Sequence, residues 1–199
     1  MENQDATPRI YVVDDDEDLA VSVAGLLRRA GWVAVPIDRP EALLPAIAAQ
    51  PAACVVSDVM MDEMDGFSLA RRVREVAPAT AMIFMTAWPA TRDAVAAVRH
   101  FGGLDYLEKP LDEARLLAAV AEAAAWSAER QERHTRLAAL SPREREVFGL
   151  LVRGLSNKAI AAQLGISAKT VEDHRSQITA KTGAVGLARL IELDPDRQA

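Results

Sequence analysis

Five carboxylates, Asp14, Asp15, Asp16, Glu17 and Asp18, crowd the turn that follows Tyr11, Val12 and Val13 in the stretch YVVDDDEDL. Like charges gathered so closely repel, so the chain must separate them or neutralise them. Three other residues suit the second course: Asp58 closing AACVVSD, Thr86 closing AMIFMT, and Lys109 in LDYLEKP. Two or three carboxylates with a carbonyl and water form the oxygen shell of a hard cation, and Mg²⁺, which keeps part of its hydration, fits such a set. A hydroxyl and an ammonium opposite the acids suit an anion held by that metal. A phosphoryl group bonded to Asp58 would meet the metal, Thr86 and Lys109 together. Part of the acidic run has a simpler use, because Glu17 and Asp18 open a helix, where acids favour the positive end of its dipole.

These residues meet only if the chain carries separated positions to one rim. The apolar runs RIYVV (9–13), VAV (33–35), CVVS (54–57), AMIFMT (81–86) and LDYLE (104–108) read as short buried strands. Helical spacing lies between them, in Leu19, Val23, Leu26 and Leu27, and again in Leu69, Val73 and Val76. Strands written as continuous apolar runs are covered on both faces, as in parallel sheets, and the intervening segments suit right-handed crossovers. The expected architecture is a doubly wound α/β fold with a five-stranded parallel sheet. Ligands of such sheets bind beyond the carboxyl ends of the strands. Those ends carry Asp14, Asp15 and Asp16 (strand one), Asp58 (three), Thr86 (four) and Lys109 (five).

In order and separation, VVDDDEDL, VVSDVMMDEMDG, FMTAW and LDYLEKPL resemble the four signatures of the flavodoxin-like receiver domain of two-component response regulators, over residues 9 to about 126. The resemblance implies that Asp58 accepts phosphate from a cognate histidine kinase. It implies that Asp15 and Asp58 bind Mg²⁺ together with the main-chain carbonyl of Met60, with Asp14 acting through water. It makes Thr86 the hydroxyl that bonds the phosphoryl oxygen on activation, Lys109 its cationic partner, Tyr106 the aromatic residue that swings inward, and Lys109–Pro110 a cis bond. Two positions depart from the pattern. Asp62 stands where the family often has proline, and either raises metal affinity or unsettles the loop. Trp88, two residues after Thr86, either excludes the water that would hydrolyse the phosphoaspartate or packs on the next helix.

Composition sets the wider frame. Half of the 199 residues are apolar, yet no run reaches the roughly 18 residues that cross a bilayer, and the first ten lack the basic and apolar regions of a signal peptide. A cytoplasmic protein without a membrane partner is expected. The single Cys54, in an apolar run, reads as structural, His100 and His134 read as surface residues, and no histidine and cysteine cluster suggests zinc. Charge is uneven: residues 1–126 hold 11 Lys/Arg against 20 Asp/Glu, and residues 127–199 hold 12 against 9. Such a split suggests an acidic domain and a smaller basic one that meets a polyanion.

Residues 112–139, Ala-rich and without glycine or proline, read as one long helix whose apolar face is Leu116, Leu117, Val120 and Ala124 and which turns polar beyond Trp126. The expected organisation is a receiver over residues 1–126, a helical linker over 127–139 and a small all-α domain over 140–199. Ser141, Pro142 and Glu144 spell a capping box; Gly154 ends that helix, Ser156 or Asn157 begins NKAIAAQL, Gly165 ends it, and Ser167 caps AKTVEDHRSQITAKTG. Two short helices joined by GIS form a helix-turn-helix with core residues Ile160, Leu164, Ile166, Val171 and Ile178. Lys169, Thr170, Asp173, His174, Ser176, Gln177 and Lys181 remain for the outer face. That pattern alone fits a DNA reader and a small interaction bundle equally.

From LSPREREVF through AKTGA, residues 137 to about 193 are similar throughout to the LuxR-type, or NarL/FixJ-type, DNA-binding domain. The similarity implies phosphate contacts from Asn157, Lys158, Thr170, Arg175 and Lys181, places Glu172, Asp173 and Ser176 nearest the bases and His174 toward DNA, and makes GLARLIEL a dimerisation helix. Asp173 replaces an expected apolar residue; it and Glu172 can accept a hydrogen bond from a cytosine amino group. Together the resemblances imply a non-enzymatic regulator: phosphorylation of Asp58 drives homodimerisation and promoter binding, with RNA polymerase a further candidate partner. Two rivals stand beside it. One is a regulator with a passive receiver that never sees phosphate. The other is a metal-dependent aspartyl phosphohydrolase, which places an acid/base Asp two residues after its nucleophile, where this chain has Met60.

Overall fold

The computed structural model describes residues 8–88 and 103–194. The chain divides into two compact units, Met1–Arg130 and Gln131–Ala199.

In the first unit, β1 (Arg9–Val13), β2 (Val33–Ile37), β3 (Cys54–Asp58), β4 (Ala81–Thr86) and β5 (Gly103–Glu108) form one sheet of order β2-β1-β3-β4-β5, with every pairing parallel. β3 and β4 are buried throughout, which is why they read as unbroken apolar runs. Side-chain alternation divides their residues between two cores. Ile10, Val12, Val56, Ile83 and Met85 pack with α1 (Glu17–Arg29) and α4 (Glu113–Ala138) through Val23, Leu27, Leu116 and Val120. Tyr11, Val13, Val55 and Phe84 pack with α2 (Pro40–Ala49) and α3 (Gly66–Val76) through Leu43, Ile47, Leu69 and Val73. Helices on both faces make the sheet doubly wound. The crossover helix expected between β4 and β5 lies outside the described residues.

Two details differ from the sequence reading. β2 continues past Val35 to Ile37, with Pro36 opposite Val12; β2 is an edge strand, and there a residue without an N–H can sit in the ladder. Val76, which continues the helical spacing of Leu69 and Val73, is 61 % exposed, because that spacing outruns the core at the last turn of α3.

α4 crosses the division between the units. Past Trp126 it still grips the receiver: Ser127 Oγ donates to Ala79 O at 2.6 Å, Arg130 Nε donates to Pro78 O at 2.8 Å, and the Arg130 guanidinium lies 5.0 Å from the Trp126 ring centre. These contacts lie within the first unit, which runs to Arg130.

The second unit contains α5 (Pro142–Val152), α6 (Asn157–Leu164), α7 (Ala168–Thr182) and α8 (Leu187–Glu192). Ser141 and Glu144 form the capping box, Ser156 caps α6 and Ser167 caps α7. Gly165 ends α6 at φ 67°, a left-handed conformation that glycine takes without penalty, and so permits the tight turn into α7. Ile160, Val171 and Ile178 are fully buried among Val147, Leu151 and Leu190, while Leu164 and Ile166 pack at the edge.

Candidate functional site

Strand ends build the rim of the first unit. Asp14 follows β1, Asp58 closes β3, Thr86 closes β4 and Lys109 follows β5, as the apolar runs require. Asp14, Asp58 and Thr86 are 1 %, 5 % and 2 % exposed. Lys109 Nζ lies 2.8 Å from Asp14 Oδ2 and 2.7 Å from Asp58 Oδ1, bridging the two buried carboxylates. Burial acts to raise the pKa of Asp14 and prevails over the lowering effect of Lys109 and the Asp16 amide, so Asp14 titrates above the usual aspartate value. Burial acts to lower the pKa of Lys109, but its hydrogen bonds to Asp14 and Asp58 outweigh it and leave the ammonium harder to deprotonate than usual.

Asp15 sits at the exposed side of the same rim, its Oδ2 accepting the Asp62 amide at 3.0 Å. One oxygen from each of Asp14, Asp15 and Asp58 lies within 4.8 Å of the others. Three hard anionic donors so spaced fit a single Mg²⁺, whose ligands stand at about 2.1 Å from the ion. Met60 lies in the loop after β3; its amide donates to Asp58 Oδ2 at 3.0 Å and the residue is 68 % exposed. Thr86 Oγ1 accepts the Trp88 amide at 3.1 Å, and its carbonyl accepts the Lys109 amide at 2.7 Å, so the hydroxyl and the lysine are tied through one backbone. The Trp88 ring is 78 % exposed. Tyr106 packs against the second core, and its buried hydroxyl has no hydrogen-bond partner among the described residues. The Lys109–Pro110 peptide is cis.

Gly66 is a residue that the sequence reading passed over. A Cβ there would stand 2.2 Å from the carbonyl oxygen of Asp58 and 3.2 Å from Ser57 Oγ, so only glycine lets the first residue of α3 approach the end of β3. A glycine after an Asp-rich loop was the available signal. Among the expected surface histidines, His134 is exposed and His100 lies outside the described residues.

In the second unit α7 presents Lys169, Glu172, Asp173, Arg175 and Ser176 as exposed residues, with Thr170 and His174 half-buried, and α6 presents Lys158 beside half-buried Asn157. Arg175 donates to Asn157 Oδ1 at 2.6 Å, joining the two helices, while Lys169 lies 3.4 Å from Asp173 and 3.8 Å from Glu172. Asn157, Glu172, Arg175 and Ser176 line a shallow cleft with Thr179 and Ala180. Lys181, read from sequence as an outer-face residue, is engaged within the unit: its Nζ bonds both oxygens of Glu144 at 3.0 and 2.7 Å. That lysine, and then the Ser141 amide, lower the Glu144 pKa to about 2.

The protein-family model for the response regulator receiver domain matches residues 10–121, and the model for bacterial regulatory proteins of the luxR family matches residues 138–193. The transcriptional regulatory protein FixJ of Bradyrhizobium diazoefficiens is 39 % identical over 92 % of this chain and 93 % of its own length. The transcriptional regulatory protein TdiR of Thauera aromatica is 34 % identical over 87 % of this chain and 79 % of its own. Among solved structures, full-length FixJ from B. japonicum superposes with a TM-score of 0.56 at 36 % identity, covering 94 % of this chain and 95 % of that one.

Proposed function

The chain belongs to the response regulators that join a receiver domain to a LuxR-type DNA-binding domain, and from that premise we propose that Asp58 is the acceptor through which a histidine kinase controls promoter binding. The family acts in phosphorylation-dependent transcription regulation by two-component systems, not as classical enzymes. The observation that carries the assignment is the Lys109 ammonium held 2.7 Å from Asp58 and 2.8 Å from Asp14 at the strand-end rim.

Asp14, Asp15 and Asp58, with the Met60 carbonyl, are the residues that would hold Mg²⁺, Asp14 through water. The ion would neutralise charge on the phosphoryl oxygens. Asp58, buried but aligned by Lys109 and the Met60 amide, attacks phosphorus; the Asp58 O–P bond forms as the donor's bond to phosphorus breaks, and the leaving group keeps the electron pair. Lys109 then has a phosphoryl oxygen to pair with. Thr86, whose oxygen accepts from Trp88, keeps its own proton to donate to the same group. Movement of Thr86 and Tyr106 couples that bond to the receiver surface, favours a homodimer and brings two output domains to paired DNA half-sites. Phosphate contacts fall to Asn157, Lys158, Lys169, Thr170 and Arg175, and base-edge contacts to Glu172, Asp173, His174 and Ser176, within a cytoplasmic protein that meets RNA polymerase at the promoter.

The test is incubation with Mg²⁺ and a small acyl phosphate, read by intact mass. One phosphoryl group is expected on the wild type and none on Asp58→Asn; incorporation surviving in Asp58→Asn would remove the assignment. Absence of incorporation in folded wild type would favour a passive receiver.

A further inference from the structure

Each clustered carboxylate accepts a hydrogen bond from a main-chain amide: Asp14 from Asp16 at 3.1 Å, Asp58 from Met60 at 3.0 Å and Asp15 from Asp62 at 3.0 Å. The first two are local, each bridging two positions along the chain. The third spans 47 positions and ties the loop after β1 to the loop after β3. Lys109 bridges Asp14 and Asp58 but not Asp15, so the Asp62 amide is the contact that orients Asp15 among the described residues.

We infer that Asp62 is a positioning residue for the metal centre and that it acts through its main-chain N–H rather than its carboxylate. The inference rests on reading Asp14, Asp15 and Asp58 as the Mg²⁺ ligands. An exposed aspartate in a surface loop otherwise samples several rotamers, and a cation must select one of them at an entropic cost. One amide bond to Oδ2 restricts that search and leaves the other oxygen for the ion. The loop can impose this because it is itself fixed. Val59 and Met61 are buried, the Gly66 amide donates to Val59 O at 3.0 Å, and Asp65 accepts the Ser68 amide at 2.8 Å to cap α3. Outer contacts that orient metal ligands carry affinity as well as geometry. By linkage, a cation bound at the rim in turn stabilises this loop.

The amide and the side chain of Asp62 separate by substitution. Alanine removes the charge and keeps the N–H; proline removes both. In calorimetric Mg²⁺ titrations of the full chain, Asp62→Ala is expected to bind within about twofold of wild type and Asp62→Pro on the order of tenfold more weakly. Asp15→Ala serves as the control for the site. A second measurement leaves position 62 unaltered, so a proline-disturbed loop cannot obscure the answer: in metal-free protein the Asp62 amide should exchange its hydrogen about tenfold faster in Asp15→Ala than in wild type. Wild-type affinity in Asp62→Pro, or unchanged exchange in Asp15→Ala, overturns the inference and leaves the metal site standing. Equal losses in Asp62→Ala and Asp62→Pro overturn it in favour of the side-chain charge. A wild type that binds no Mg²⁺, or an Asp15→Ala that binds as well as wild type, overturns the site itself and the inference with it.

Discussion

Lys109 carries the charge balance of the rim. Its folded pKa is raised above the ordinary 10.5, burial being outweighed by the bonds to Asp14 and Asp58, so its stabilising effect is present in full below that value and is lost only as pH rises through the folded pKa. Replacing it with methionine keeps the stem's packing and leaves two nearly buried carboxylates facing each other. Breaking a buried pair in this way costs about 3 kcal/mol. A divalent cation offers the same carboxylates an alternative partner, so Lys109→Met should be markedly less stable than wild type in chelator and recover much of the difference in millimolar Mg²⁺. All three tryptophans, Trp32, Trp88 and Trp126, belong to the first unit. Urea unfolding followed by their fluorescence therefore reports this unit alone. A Lys109→Met receiver as stable as wild type without Mg²⁺ would show that the bridge is not what balances the acids.

At the scale of elements, Glu144 joins the start of α5 to the end of α7, taking Lys181 on both oxygens and the Ser141 amide at 2.6 Å. A carboxylate with its pKa lowered from 4.5 to about 2 adds stability that is present above the ordinary value and lost as pH falls through the folded one. Lys181→Met should thus lower the melting temperature of the second unit by several degrees at pH 7, and the gap from wild type should close between pH 4.5 and 2. The amide signals of Gly165 and Gly183 follow that unit by NMR; a gap that persisted at pH 2 would mean Lys181 contributes through packing of its stem. Lys181 also marks what was legible in the sequence. A buried parallel strand is apolar until it meets water, so the first polar residues after each run named Asp14, Asp58, Thr86 and Lys109. The caps Ser141, Ser156 and Ser167 were legible because capping is local chemistry. A helical pattern tells which face a lysine lies on, not which acid comes to meet it from another helix, and so the Glu144 partnership was hidden. Asp62 drew notice for its charge, whereas its structural contact comes from an amide that almost any residue possesses. Gly66 was missed because close approach is a property of two elements at once. β2 runs beyond Val35 through Pro36 because an edge position tolerates a residue without an N–H, which an apolar run alone does not reveal.

At the scale of the whole molecule, an acidic receiver is joined to an output domain with little cationic charge to offer a polyanion. Residues 127–199 carry 12 Lys/Arg against 9 Asp/Glu. On α6 and α7 the cations are Lys158, Lys169, Arg175 and Lys181; Lys181 is bound to Glu144, Lys169 lies beside Asp173, and Arg175 is bonded to Asn157. With Lys181 committed, about three cations per protomer remain for phosphates, which sets a slope of log affinity against log salt of roughly −3 for one protomer and between about −5 and −6 for two. Single domains so charged bind weakly at physiological salt, and linking two copies, as the proposed homodimer would, raises affinity without new contacts. Phosphorylation should therefore act on DNA binding chiefly by doubling the protomers engaged, steepening the salt slope about twofold on a paired-site promoter fragment. Lys158→Met should reduce the slope by about one per bound protomer, and Lys181→Met should leave it unchanged as long as the ammonium stays with Glu144. Fluorescence anisotropy across a salt series reads all of these. Equal slopes for the phosphorylated and unphosphorylated protein would mean that the receiver adjusts affinity without changing the number of protomers on DNA, and a slope reduced by Lys181→Met would mean that DNA draws the lysine away from Glu144.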